Sequence, residues 1–149
     1  LDEIKHATRV KHLPVVFSRT ETSKILSNLN GVVKIIVSLL YGTGMRLGEV
    51  LNLRVKDIDF EMNQIIVRDG KGEKDRITVL PQKLIPELKE HIRKVKNLHQ
   101  KDLISGLGKT KLPYALARKY VNAEKEFGWQ FVFPASGFVY DKESKQKFR

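Results

Sequence analysis

The sequence predicts an α+β domain, with helices on either side of a small antiparallel sheet of three strands. Residues 18–53 space their apolar side chains as helices do, and residues 55–80 switch to short β-branched runs between turn residues. Helical spacing then returns over 84–103. With 149 residues, 41% of them hydrophobic and 30% charged, the chain suits one globular domain with a substantial core. That composition argues against intrinsic disorder.

Residues 1–17 are polar and basic and end in Leu13-Pro14-Val15-Val16-Phe17, the pattern of an extended linker entering a domain. Ser18 followed three positions later by Glu21 is a capping box. It starts a helix through about Asn28, with Ile25, Leu26 and Leu29 expected to face inward. In 32–41 only Lys34 and Ser38, four apart, form a polar stripe, so this helix is predicted to lie deep in the core. Gly42 and Gly44 are expected to break it. A third helix follows over 46–53, with Leu47, Val50, Leu51 and Leu53 apolar.

Strands are predicted at 55–60 and 64–68 around the turn Glu61-Met62-Asn63, and at 76–80 after a stretch rich in glycine and charge. Pro81 ends the meander. Leu84, Ile85, Leu88, Ile92, Val95 and Leu98 then mark one face of a long helix, on whose solvated face His91 and His99 are placed. Gly106 and Gly108 stop it. Pro113 suits the first turn of a short helix over 113–120. Residues 129–133, Trp-Gln-Phe-Val-Phe, read as a buried strand or extended segment, and the last dozen residues carry no strong pattern.

Lysine and arginine number 28 against 17 aspartates and glutamates, a net charge of +11. The excess is lopsided: residues 1–75 carry 12 basic and 10 acidic side chains, residues 76–149 carry 16 and 7. A polyanion is the natural partner for such a surface. A basic surface kept for solubility is the ordinary alternative. Cysteine is absent and the four histidines show no ligand spacing, so neither a metal nor another cofactor is expected. The longest apolar stretch, 32–41, is too short to span a bilayer, and no signal peptide is read, so no membrane partner and a cytoplasmic setting are expected.

Two short motifs carry chemistry. Cleaving a phosphodiester by side-chain attack requires stabilised charge on the non-bridging oxygens, a proton for the leaving oxygen and a nucleophile in line. Arg46, in Tyr41-Gly-Thr-Gly-Met-Arg-Leu-Gly-Glu49, offers a planar fork for two phosphate oxygens. Glu49, one helical turn on, can hold it; an ordinary exposed ion pair is the alternative. Lys71, in Gly70-Lys-Gly-Glu-Lys-Asp-Arg76, can act as general acid, or it can be one more charge on a solvated turn.

Together these motifs resemble tyrosine site-specific recombinases, the family of Xer-type, phage and integron integrases. The resemblance implies the first part of that family's catalytic-domain fold. It puts the first catalytic arginine on Arg46, its supporting acid on Glu49 and the strand-hairpin lysine on Lys71. Among subfamilies the match is nearest to integron integrases, in the phrases Leu-Tyr-Gly-Thr-Gly-Met-Arg, Leu-Arg-Val-Lys-Asp-Ile-Asp-Phe and Gly-Lys-Gly-x-Lys-Asp-Arg. Leu112-Pro-Tyr-Ala-Leu-Ala-Arg-Lys-Tyr120 resembles the extra helix those enzymes insert. Lys74, Arg76, Arg118 and Lys119 are the expected DNA contacts. Trp129 is either a further contact, stacking on a protruding base, or a core tryptophan.

The family also needs a His-x-x-Arg box, a further histidine or tryptophan and a tyrosine nucleophile, and none is found here. Tyr41, Tyr114, Tyr120 and Tyr140 all lack the nucleophile's motif context. The resemblance thus implies that 1–17 is a linker from an N-terminal DNA-binding domain. Residues 18–149 would be the N-terminal part of the catalytic domain, with an inserted helix near 113–120, and would bind DNA without cutting it. For the parent it implies cassette capture through a phosphotyrosine intermediate, by a tetramer on duplex and folded single-stranded sites. A part of a Xer-like or phage recombinase, or a non-catalytic DNA-binding module derived from one, is the competing reading. A basic RNA-binding domain is disfavoured because no RNP, KH or double-stranded-RNA motif appears.

Overall fold

The computed structural model describes residues 15–68, 75–112, 116, 120, 122–142 and 145–149. Helix α1 (Arg19–Ser27) opens with the expected box: Ser18 N–H donates to Glu21 Oε2 at 2.8 Å, and Glu21 N–H donates to Ser18 Oγ at 3.3 Å. None of its residues is buried. Ile25, expected inside, is 39% exposed, because α1 leans on the fold mainly through one neighbour, α2 (Gly31–Thr43).

Helix α2 is less deeply buried than its composition suggests. Ile35 and Leu39, one turn apart, are buried, whereas Val32, Val33 and Tyr41 are exposed. Lys34 reaches Glu87 at 3.0 Å. Gly42 does not break the helix but lies within it, where a Cβ would fall 2.6 Å from Pro81 Cγ. Its lack of a side chain is what admits the proline. The helix ends at Gly44, whose φ of 67° turns the chain and whose N–H donates to Leu40 O at 3.1 Å.

A single turn, α3 (Leu47–Leu51), follows and buries Val50. Residues 55–57, expected in the first strand, form a 3-10 turn instead, with Asp57 buried and accepting from Arg68 Nε at 2.7 Å. The sheet is then β1 (Ile58–Asp59), β2 (Gln64–Val67) and β3 (Arg76–Val79), antiparallel in the order β1-β2-β3. Ile58 pairs with Ile65, and Val67 with Arg76. Ile65 and Val67 point into the core, so the sheet face carrying Arg76 and Thr78 looks toward the helices.

Helix α4 (Ile85–Ile104) buries Leu88 and Val95. Its histidines are not solvated as expected. His91 is half-buried with Nε2 2.7 Å from Val132 O, and His99 is buried with Nε2 3.1 Å from Gly108 O. The cause is the chain after α4, which doubles back over that face. Trp129 closes a 3-10 turn, and the extended residues after it are stitched to the 53–55 segment. There Val55 N–H donates to Gln130 O at 3.0 Å, Val132 N–H to Leu53 O at 2.8 Å, and Phe131 forms an antiparallel bridge with Arg54. Val132 is fully buried and joins the core of Leu39, Val50, Ile65, Leu80 and Leu88. A hairpin, β4 (Val139–Asp141) with β5 (Gln146–Phe148), lies where the sequence shows no pattern. The α+β class holds. In the predicted 113–120 helix, Tyr120 N–H donates to Leu116 O at 2.9 Å; its other residues lie outside those described.

Candidate active site

The turn between α2 and α3 decides where Arg46 points. Thr43 Oγ1 accepts from Met45 N–H at 3.2 Å, and Met45 is buried, so the next residue is turned outward. Arg46 caps α3 with its side chain 60% exposed. Glu49, only 9% exposed, accepts the Arg46 backbone N–H on Oε2 at 2.7 Å and Arg46 Nη1 on Oε1 at 3.0 Å.

Glu49 has a second partner that spacing could not show. Arg76 Nη1 donates to Oε1 and Nη2 to Oε2, both at 2.8 Å, a two-pronged pair across 27 residues of sequence. The Arg76 hydrogen bonds, with smaller help from Arg46, lower the Glu49 pKa from 4.5 to about 2 against the opposing effect of burial. Arg76 was expected among the DNA contacts; its paired Nη atoms face Glu49.

Lys71 and Lys74 lie outside the described residues, but the stem of their loop does not. Arg68, at its start, donates through Nε to the buried Asp57 and lies 3.5 Å from Asp75 Oδ2 through Nη1. Arg76, at its end, is held by Glu49. One step along β3, Thr78 Oγ1 donates to Thr43 O at 3.1 Å. The β3 arm of the loop is therefore tied to the segments that bracket Arg46, and the β2 arm to the 55–57 turn.

The segment after α4 is gathered by Arg54, which sequence reading passed over. Its Nη1 donates to Trp129 O at 2.6 Å and to Thr110 Oγ1 at 2.9 Å, and its Nη2 to Lys111 O at 2.8 Å. The guanidinium carbon lies 4.0 Å from the centre of the Phe131 ring, and burial lowers its pKa. The one available signal was an arginine set directly between two apolar residues, Leu53 and Val55. Trp129 is half-buried, and Arg118 and Lys119 lie outside the described residues.

Comparison with known proteins agrees with the resemblance at the level of family. The profile of the Phage integrase family matches residues 16–126. An "Integrase/recombinase" from Escherichia coli is 41% identical over 162 positions, covering all of this chain and 48% of the relative, and one from Pseudomonas aeruginosa matches equally. "Tyrosine recombinase XerA" from Pyrococcus furiosus is 37% identical over 101 positions, covering 63% of this chain and 35% of the relative. A crystal structure of XerA recombinase aligns with a TM-score of 0.49 at 34% identity, over 58% of this chain and 32% of that one. The chain spans about half the length of the first two relatives.

Proposed function

The chain belongs to the phage integrase family, and on that premise we propose that it forms the N-terminal part of a recombinase catalytic domain. In this reading the parent is an integron-type integrase, which captures gene cassettes by cutting and rejoining DNA through a phosphotyrosine intermediate. Residues 18–149 belong to the catalytic domain, residues 1–17 link it to a DNA-binding domain, and the assembly on DNA is a tetramer. The tyrosine attacks phosphorus, a phosphotyrosyl bond forms and the bond to the 5′ oxygen breaks. Arg46 neutralises charge on the non-bridging oxygens, and Lys71 gives the 5′ oxygen its proton. Glu49 keeps Arg46 in place. Lys74, Arg118, Lys119 and Trp129 contact DNA.

One arrangement carries the reading: an exposed arginine braced by a largely buried carboxylate, which also grips Arg76 in the stem of the Lys71 loop. The integron subclass is favoured by the 112–120 phrase of the sequence. A Xer-like recombinase is the second reading, favoured by the 37% identity to XerA itself.

The test uses the parent recombinase and a suicide DNA substrate. Arg46→Ala should abolish the covalent adduct. Lys71→Ala should slow cleavage by roughly 10²–10⁴-fold with binding retained, the range for a lost general acid. A better leaving group at the 5′ position should restore Lys71→Ala and leave Arg46→Ala inactive. Normal cleavage by Arg46→Ala would end the proposal. Recombination of duplex sites with no activity on folded single-stranded ones would favour the Xer-like reading.

A further inference from the structure

We propose that Arg76 is a positioning residue for Arg46, acting through Glu49 and locking that arginine to the stem of the Lys71 loop. The inference rests on the roles proposed above for Arg46 and Lys71, and it concerns how their geometry is held.

A carboxylate offers about four lone-pair positions. Glu49 has four donors: two Nη atoms of Arg76, Nη1 of Arg46 and the Arg46 backbone N–H. The two arginines are not equivalent. Arg76 binds fork to fork, which fixes the plane of the carboxylate. Arg46 gives its side chain only one bond to Glu49 and stays mostly exposed. The result is one arginine that braces and one that presents. Remove Arg76, and the buried carboxylate is free to rotate and draw both prongs of Arg46 onto itself. The guanidinium would then turn away from a phosphate.

Arg76 also sits where such a brace ties the Arg46 turn to the start of β3. It opens β3, directly after Asp75, opposite Val67 on β2. Thr78, two residues on and on the same face, ties β3 to Thr43 beside the Arg46 turn. The other arm of the loop is held through Arg68 and Asp57. Arg46 and the loop stem therefore share one rigid frame, with Glu49 as the joint.

The experiment measures single-turnover cleavage and DNA affinity in the parent recombinase for Arg76→Gln, Arg76→Lys, Glu49→Gln and the Arg76→Gln/Glu49→Gln double variant. Arg76→Gln should lower the cleavage rate by about 10–100-fold, the cost of misplacing a reacting group, with affinity changed by no more than about 3-fold. Arg76→Lys should recover little, because an ammonium cannot form the fork. In the double variant Arg76→Gln should add no more than about 2-fold to Glu49→Gln, as coupled residues do. Fully multiplicative effects, a wild-type rate in Arg76→Lys, or a rate loss matched by lost affinity would each overturn the inference. So would failure of both Arg76 variants to fold, which would assign the residue to the fold alone. If Arg46→Ala itself cleaves normally, the underlying reading of Arg46 fails. If Arg46→Ala is inactive while Arg76 variants cleave normally, only the positioning role fails.

Discussion

The Lys56 ammonium lies 2.9 Å from the centre of the Trp129 ring, so one face of this half-buried tryptophan is taken by a cation. Burial comes first among the causes that lower the Lys56 pKa, followed by repulsion from Arg68. Such a contact is worth about 0.5–2 kcal/mol. Trp129→Ala should therefore destabilise the fold by less than the roughly 3–5 kcal/mol of an emptied aromatic core site. Under the proposed role it should also weaken binding to a folded single-stranded site by about 1–3 kcal/mol, the worth of one stacked base. Chemical denaturation and a hairpin titration measure the two effects. A core-sized loss of stability with unchanged hairpin binding would place Trp129 in packing.

Arg54 holds the returning segment with one side chain, through the Thr110 hydroxyl and the Lys111 and Trp129 carbonyls. Arg54→Ala should cost about 3 kcal/mol, since the buried Thr110 hydroxyl and two carbonyls lose a charged donor. Hydrogen exchange should locate the damage. The Val55 and Val132 amides, which bond across that junction, should lose protection before those of β2. Uniform loss across the sheet would show that Arg54 serves the whole core instead.

Which of these features could be read from the chain follows from the range of the interactions. The helices, the meander and the Ser18 cap rest on spacings of two to four residues, and periodicity reveals them. Arg46 and Glu49 are likewise three apart. Arg76 meets Glu49 across 27 residues, and an arginine beside glycines and charges looks like any solvated turn residue. The same limit hid the histidines of α4, because the segment that buries them has no period. Hairpin β4–β5 has strands of three residues, too short for alternation to emerge.

Glu49 makes a pH prediction. Its pKa is depressed in the fold, from 4.5 to about 2, so its ion pairs stabilise fully above the unfolded value. That stability should fade as pH falls from about 4.5 toward 2. Urea midpoints across this range should drop more steeply in the wild type than in Glu49→Gln. Parallel curves would mean that the pair contributes nothing to folding.

His91 predicts a second, milder transition. Burial, first among the causes, lowers its pKa below 6.5, with Lys94 adding repulsion, although the bond to Val132 O opposes both. The folded state thus favours the neutral ring, which donates from Nε2 and stacks on Phe133 at 5.1 Å. A lowered histidine pKa stabilises above the unfolded value and loses that contribution as pH falls below it. Stability should decline as pH drops from about 7 toward 5, and His91→Gln should flatten the decline. A decline that survives the substitution would belong to another group.

DNA binding by the chain should weaken steeply with salt, because each phosphate neutralised releases counterions and contributes about −0.9 to the slope of log K against log salt. Not all of the 28 lysines and arginines are on offer to DNA. Arg54 and Arg76 are paired internally, and Arg149 is held by Asp102 through Nε at 2.9 Å and Nη2 at 3.2 Å. Arg118→Ala and Lys119→Ala, as proposed DNA contacts, should each reduce the slope by about one. Arg149→Ala should leave it unchanged, since its charge already faces a carboxylate. Titration of a labelled duplex and a folded hairpin at several salt concentrations gives all four slopes. An affinity almost independent of salt would remove the electrostatic account, and a slope that changes only with Arg149→Ala would mean that the contacting surface is a different one.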